Sequence, residues 1–245
     1  MLGFIEYYES DKTRPYLRQE QRAGGSFLVL SMGRAAHGLL APHRALRAAR
    51  QLRERGVYRA VFPVDFPHTA IFLRAGITPI DPLPLRCALA ASFVQRELQR
   101  RNASATDAII AVSGLCVTSE LAETTRTLAL RYRYVLLSVR TGGEELERRL
   151  RREYGISLLT NPSRGQLERA DALALFSPRS DLRCENPVLC ALYPGGERGR
   201  GCVPLQPDAA LLSDIAPNCP LDQLAAALHT MGILPARRCL GEITC

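Results

Sequence analysis

The chain has 245 residues, 47% apolar and 23% charged, which excludes a disordered or collagen-like polymer and leaves room for one large domain or two small ones. No run of roughly 18 uncharged apolar residues occurs, so no membrane-spanning helix is expected. The N-terminus, Met1 to Ser10, has neither a basic region nor an apolar core of the secretory type, and a cytoplasmic location is the expectation.

In chain order, Phe4-Ile5-Glu6-Tyr7-Tyr8 reads as an edge strand or arm, followed by a charged loop through Lys12, Arg14 and Arg18 to Gly24-Gly25. Residues 27–32 form a buried-type strand bounded by Gly25 and Gly33. From Pro42 to Arg55 the spacing predicts a helix, with Ala45, Ala48, Ala49 and Leu52 on one face and Arg44, Arg47, Arg50 and Arg53 off it, stopped by Gly56. A strand over 57–62, a short helix over 67–75 and a helix over 84–101 that is apolar on nearly every face come next. The most regular alternation follows: strand 108–112, helix 119–131, strand 134–139, helix 144–154 stopped by Gly155, and strand 156–160. Ser163 and Gln166 predict a capping box, residues 172–176 and 188–193 are further strands, 194–201 is a glycine-rich loop, and a last helix runs from Pro220 to Met231. Strands apolar throughout, alternating with helices, predict an α/β fold: a mostly parallel sheet with helices on both faces. The expected division is 1–103, an N-terminal β-α segment ending in the helix 84–101, and 104–245, a Rossmann-like region with the C-terminal helix packed back across it.

The net charge of +8 is lopsided, because residues 1–105 hold 16 basic and 8 acidic groups while the remainder balances. An anionic partner would therefore meet the N-terminal part. Of the basic residues 31 are Arg and only Lys12 is Lys, a bias that a GC-rich, bacterial-type genome explains, and no nucleic-acid motif accompanies it. Eight cysteines include six in the last 62 residues, yet no C-x-x-C and no Cys/His ligand spacing occurs, so buried reduced thiols are expected and no metal. On 144–152, Glu144/Arg148, Glu145/Arg149 and Glu147/Arg151 are spaced as i, i+4 ion pairs of a self-neutralised helix surface. Asp65 and His68 follow a strand end, where an acid/base pair or a simple capped turn fits, and His37 lies in a loop without phosphate-loop spacing.

The strand-loop-helix over 109–122 stands where an open α/β sheet commonly holds a ligand, beyond a strand's carboxyl end and at a helix N-terminus. Gly114, Thr118 and Ser119 are its candidate phosphate contacts. Arg140 and Thr141 end the next strand, the position that meets an adenosine ribose, and an Arg there suits a 2′-phosphate. With Val-Ser-Gly114, Val139-Arg140-Thr141, Tyr154-Gly155-Ile156 and Leu167 to Ala172 in this order, residues 104–178 resemble the nicotinamide-dinucleotide-binding domain of shikimate dehydrogenases and glutamyl-tRNA reductases. The resemblance implies a dinucleotide site at Gly114, Thr118, Ser119, Arg140 and Thr141. It departs from the family where several glycines are required, since Leu115, Cys116 and Val117 follow Gly114; Lys12 matches no catalytic lysine, and Cys87 sits in an apolar helix instead of a nucleophile motif. Two functions follow: a Rossmann-like protein binding a small anionic or nucleotide-like ligand or a protein partner, a homo-oligomer included, without a catalytic set; or an NADP-dependent oxidoreductase with a divergent phosphate loop. Neither a specific nucleic acid nor a membrane is an expected partner.

Overall fold

The structure is a computed structural model, described for residues 1–8, 14–33, 41–196, 201–205 and 218–239. The chain divides into two compact units, Met1–Pro82 with Leu205–Cys245, and Leu83–Pro204. Each is an α/β layer of its own.

In the first unit the strands β1 (Gly3–Tyr8), β2 (Tyr16–Arg22), β3 (Gly25–Gly33), β4 (Arg59–Val61) and β5 (Thr78–Pro79) lie in the order β2-β3-β1-β4-β5. All neighbours are parallel except β2 and β3, which form an antiparallel hairpin. Two expectations change here. The aromatic N-terminal stretch is a central strand, not an edge, and the charged segment after it is the edge strand β2. The reason is a charge ladder across the sheet. Glu6 on β1 accepts from Arg18 at 3.0 Å and from Arg22, both on β2, and from Ser31 on β3 at 2.5 Å, so two arginines of β2 gain a carboxylate beyond their own strand's Glu20 when it lies in the sheet. The opposite face carries Ile5, Leu28, Leu30 and Met32 and is covered by Ala45, Ala48, Ala49 and Leu52 of α1 (Ala41–Glu54) and Phe72 of α2 (Thr69–Arg74).

The second unit begins with α3 (Leu83–Arg100) and holds β6 (Ile109–Cys116), α4 (Ser119–Ala129), β7 (Tyr134–Thr141), α5 (Gly143–Tyr154), β8 (Leu159–Thr160), α6 (Arg164–Glu168), β9 (Ala172–Leu175) and β10 (Val188–Ala191). Its five strands are all parallel, in the order β10-β9-β6-β7-β8. Numbered from β6 this is the order 3-2-1-4-5 of a Rossmann-like sheet, with the topological switch between β6 and β9. One face, bearing Ala111, Leu136, Leu173, Leu175 and Leu189, packs on Leu167, Ala170 and Leu182. Asn186, 2% exposed, ties that layer by donating at 2.8 Å to the carbonyls of both Leu167 and Ala170. Local signals place the helix ends as expected: Gly56, Gly155 and Gly232 adopt positive φ, and the Ser163–Gln166 capping box is present.

The division differs from the expected one in two ways. Helix α3 packs on α4, β9 and β10 and so belongs to the second unit. The last helix, α7 (Leu221–Thr230), belongs to the first. Its seat is polar and specific: Phe62 N–H donates to Gln223 Oε1 at 3.0 Å, Asn218 Nδ2 to the Tyr7 carbonyl at 2.9 Å, and Val64 N–H to the Asn218 carbonyl at 2.9 Å. Among the described residues no helix is long and apolar enough to cross a membrane.

Candidate functional site

The carboxyl end of the second sheet brings the sequence-derived candidates near one another but gives them different tasks. Gly114 lies buried inside β6, with φ outside the left-handed region. A Cβ there would meet Leu121 Cδ1 at 2.6 Å and Phe176 Cβ at 3.4 Å, so the glycine lets α4 and the end of β9 close on β6. Beyond it β6 and β7 stay paired, Gly114 with Val139 and Cys116 with Thr141, and Val117 N–H donates to the Thr141 carbonyl at 3.3 Å. The strand pair thus runs on where a glycine-rich turn would open. Thr118 caps α4 by accepting from Leu121 N–H at 3.2 Å. Ser119 and Thr118 are exposed, and their hydroxyls, with the Glu120 backbone N–H first among the causes, hold the Glu120 carboxyl below the usual carboxylate range. The chain's own carboxylate stands where an anionic ligand would meet this helix end.

The next junction is built differently. Gly142 adopts φ +84° and caps α5 without any side-chain hydrogen bond. Gly143 is a glycine because a Cβ would meet Val139 Cγ2 at 2.8 Å. Around them opens a crevice of about 340 Å³ lined by Arg140, Arg148, Thr160 and Asn161, with Leu137 and Val139 as its apolar part and Glu144 and Glu145 from the first turn of α5. Neither Arg140 nor Arg148 has a hydrogen bond or ion pair among the described residues. Of the three expected pairs on this helix only Glu147–Arg151 closes, at 2.5 Å, which leaves Arg148 directed to the crevice.

A third group was not anticipated from the residues. Ser113 on β6 and Ser138 on β7 are register partners, and Arg179, from the loop after β9, donates to both hydroxyls at 2.9 and 3.2 Å. Asp181 grips the same guanidinium at 2.7 and 2.8 Å, and this bond lowers its carboxyl to about 2. A serine near the carboxyl end of each of two otherwise apolar strands was the available signal. Similarly, the Gly-Gly after β7 marked the crevice.

Elsewhere the candidates dissolve into packing. His68 stacks edge-on against Phe66 and Tyr7 at 5.7 and 6.2 Å between centroids, while Asp65 is exposed at φ +60° and shares no hydrogen bond with it among the described residues. Burial lowers the His68 pKa, so the ring is a neutral member of the Phe62–Phe66–Phe72 cluster and not half of an acid/base pair. Lys12 and His37 lie outside the described residues. Among the described residues the cysteines form no disulfide and no three His, Cys, Asp or Glu side chains gather as a metal-ligand set. Burial pushes the Cys219 thiol up to about 12 and the Cys190 thiol higher still, which keeps both from reacting as thiolates.

No protein-family model and no curated protein sequence matches the chain. Among solved structures it is similar to NAD+-bound D-lactate dehydrogenase from Lactobacillus jensenii (12% identity, 55% of this chain and 46% of that one, TM-score 0.29). It is also similar to L-tryptophan dehydrogenase from Nostoc punctiforme (11%, 71% and 56%, TM-score 0.31) and to aspartate transcarbamoylase from Trypanosoma cruzi (14%, 89% and 68%, TM-score 0.30). The chain spans about half the length of the two dehydrogenases. The Rossmann-like assignment of the second unit rests on its own strand order and register, five parallel strands with the switch between β6 and β9.

Proposed function

We propose that the second unit binds a nucleotide-like anion by its ribose-phosphate end, in the crevice beyond β7 and β8, and does so without a catalytic set of its own. One observation carries this reading: Arg140 and Arg148, both without partners among the described residues, line a crevice that also contains the uncapped start of α5. Guanidinium groups and first-turn N–H groups suit a phosphate, and the carboxylates of Glu144 and Glu145 suit ribose hydroxyls. The other half of a dinucleotide site, after β6, is taken by strand pairing and by Glu120. A mononucleotide-sized ligand therefore fits the arrangement better than a dinucleotide.

The resemblance of 104–178 to shikimate dehydrogenase and glutamyl-tRNA reductase domains supports the same end of the crevice. Arg140-Thr141 also favours the second reading, an NADP-dependent oxidoreductase. Thermal shift and calorimetry with adenosine 2′-monophosphate, NADP and NAD separate the two. The binding reading expects the mononucleotide and NADP to bind within a few-fold of each other, NAD weakly, and Arg140→Ala to abolish both responses. NADP binding tenfold or more tighter than the mononucleotide would favour the oxidoreductase. No response to any of the three removes both.

A further inference from the structure

We propose that the first unit carries a separate anion site, between α1 and the start of β2, that takes a compact phosphate-bearing small molecule with at least two negative charges. A cavity of about 660 Å³ lies there, lined by Arg14, Pro15, Arg44, Arg47, Ala48 and Gln51. Its volume is that of a small-molecule site, and its concavity suits such a ligand better than a duplex or a bilayer surface.

The charges around it are unbalanced, in contrast to those of the neighbouring strand β2. Arg18 and Arg22, a few residues along β2, each hold carboxylates of Glu6 and Glu20. Arg14, Arg44 and Arg47 have no ion pair or hydrogen bond among the described residues. Helix α1 has no acidic residue in its first turn, where the helix dipole favours one, and places Arg44, Arg47, Arg50 and Arg53 at i, i+3 spacing. Like charges at that spacing weaken a helix. The helix cannot rotate them apart, because Ala45, Ala48, Ala49 and Leu52 are buried against the sheet. A close arginine contact of this helix, Arg53 over the Tyr58 ring at 3.8 Å, lies at the other end. The helix dipole rewards Arg53, in the last turn, but not Arg44 and Arg47 nearer the start, whereas a multivalent anion held by several guanidinium forks would offset the repulsion. Gln51 adds an amide that donates and accepts, suited to a hydroxyl or phosphate oxygen.

The test uses the full chain and inorganic pyrophosphate as probe, with inorganic phosphate as the weaker comparator and sodium chloride at matched ionic strength as control. Wild type is expected to show a saturable rise in melting temperature with pyrophosphate that chloride does not reproduce. Arg44→Gln with Arg47→Gln should weaken the response at least tenfold, and Arg14→Gln should weaken it in the same direction. Arg140→Ala, which disables the crevice of the second unit, should keep a saturable response that still depends on Arg44 and Arg47, which separates the two sites. Without pyrophosphate the double variant should melt at or above the wild-type temperature, since repulsion is relieved. An unchanged response in the double variant, a complete loss of the response in Arg140→Ala, an equal effect of chloride, or a lower melting temperature of the double variant without ligand would each overturn the proposal.

Discussion

Replacing Gly114 by Ala separates a packing glycine from a ligand-facing one. The added methyl would meet Leu121 Cδ1 at 2.6 Å and Phe176 Cβ at 3.4 Å. Leu121 is 0% exposed, so its side chain has no solvent to move into. Because φ at 114 is ordinary, the cost comes from overpacking alone, about 1–3 kcal/mol. For a unit of this size that corresponds to a fall in melting temperature of roughly 2–12 °C. Urea denaturation followed by circular dichroism, with the two units' transitions resolved by fitting, measures it. Leu121→Ala alone should cost about 2–5 kcal/mol through the cavity it leaves. In the double variant the new methyl enters that cavity, so the two losses should add to less than their sum by about 1 kcal/mol or more. If Gly114→Ala leaves stability within about 0.5 kcal/mol of wild type, or the losses add, then the glycine does not serve the α4–β6 contact and the packing argument fails.

Other expectations rest on single arrangements. Arg179→Met strips the buried Ser113 hydroxyl of its donor and should cost about 1–3 kcal/mol, most of it recovered when Ser113→Ala and Ser138→Ala are added; a full cost in the triple variant would refute the bridge. Asp181, whose carboxyl is lowered to about 2, stabilises the fold fully above its ordinary value of 3.8 and loses that contribution as pH falls from about 4 toward 2; carboxyl carbon NMR shifts should show it ionised at pH 3, and a midpoint near 3.8 would be inconsistent with the Arg179 grip. His68 is lowered by burial, so its neutral form favours the fold and stability should decline as pH drops below about 6.5, where the unfolded chain takes up the proton first. Melting curves between pH 7.5 and 5 should flatten in His68→Phe, and an unchanged slope would rule out this histidine as the source. Asn186→Leu removes the two donors to Leu167 and Ala170 and should destabilise the second unit by about 2–4 kcal/mol, with Asn186→Ser intermediate; a loss below about 1 kcal/mol would mean that those carbonyls find other donors.

How much of this was legible in the residues divides along sequence separation. Periodicity, glycine stops and the Ser163–Gln166 box report on neighbours within a turn or two, and they marked α1, α3, α4, α5 and the strands of the second sheet within a few residues. The Arg140-Thr141 strand end was visible for the same reason, since a strand followed by a helix locates its own carboxyl terminus. What escaped involves partners far apart. Strand β2 looks like a loop until Arg18 and Arg22 find Glu6 across the sheet, 12 and 16 residues away. Helix α7 is marked by its starting proline, and its expected place was across the Rossmann-like region; its membership in the first unit follows from Gln223 and Asn218 bonding to backbone 161 and 211 residues distant. The turn after β6 stands where an open α/β sheet commonly holds a ligand, yet pairing of Cys116 with Thr141 and the Glu120 carboxylate at the start of α4 close it. Local sequence thus determined which segments are helix and strand and where they stop, because those preferences are paid out between near neighbours. Only the tertiary structure decided which strands pair, which unit owns α7 and which strand end stays open, because each depends on hydrogen bonds between groups that the chain brings together only on folding.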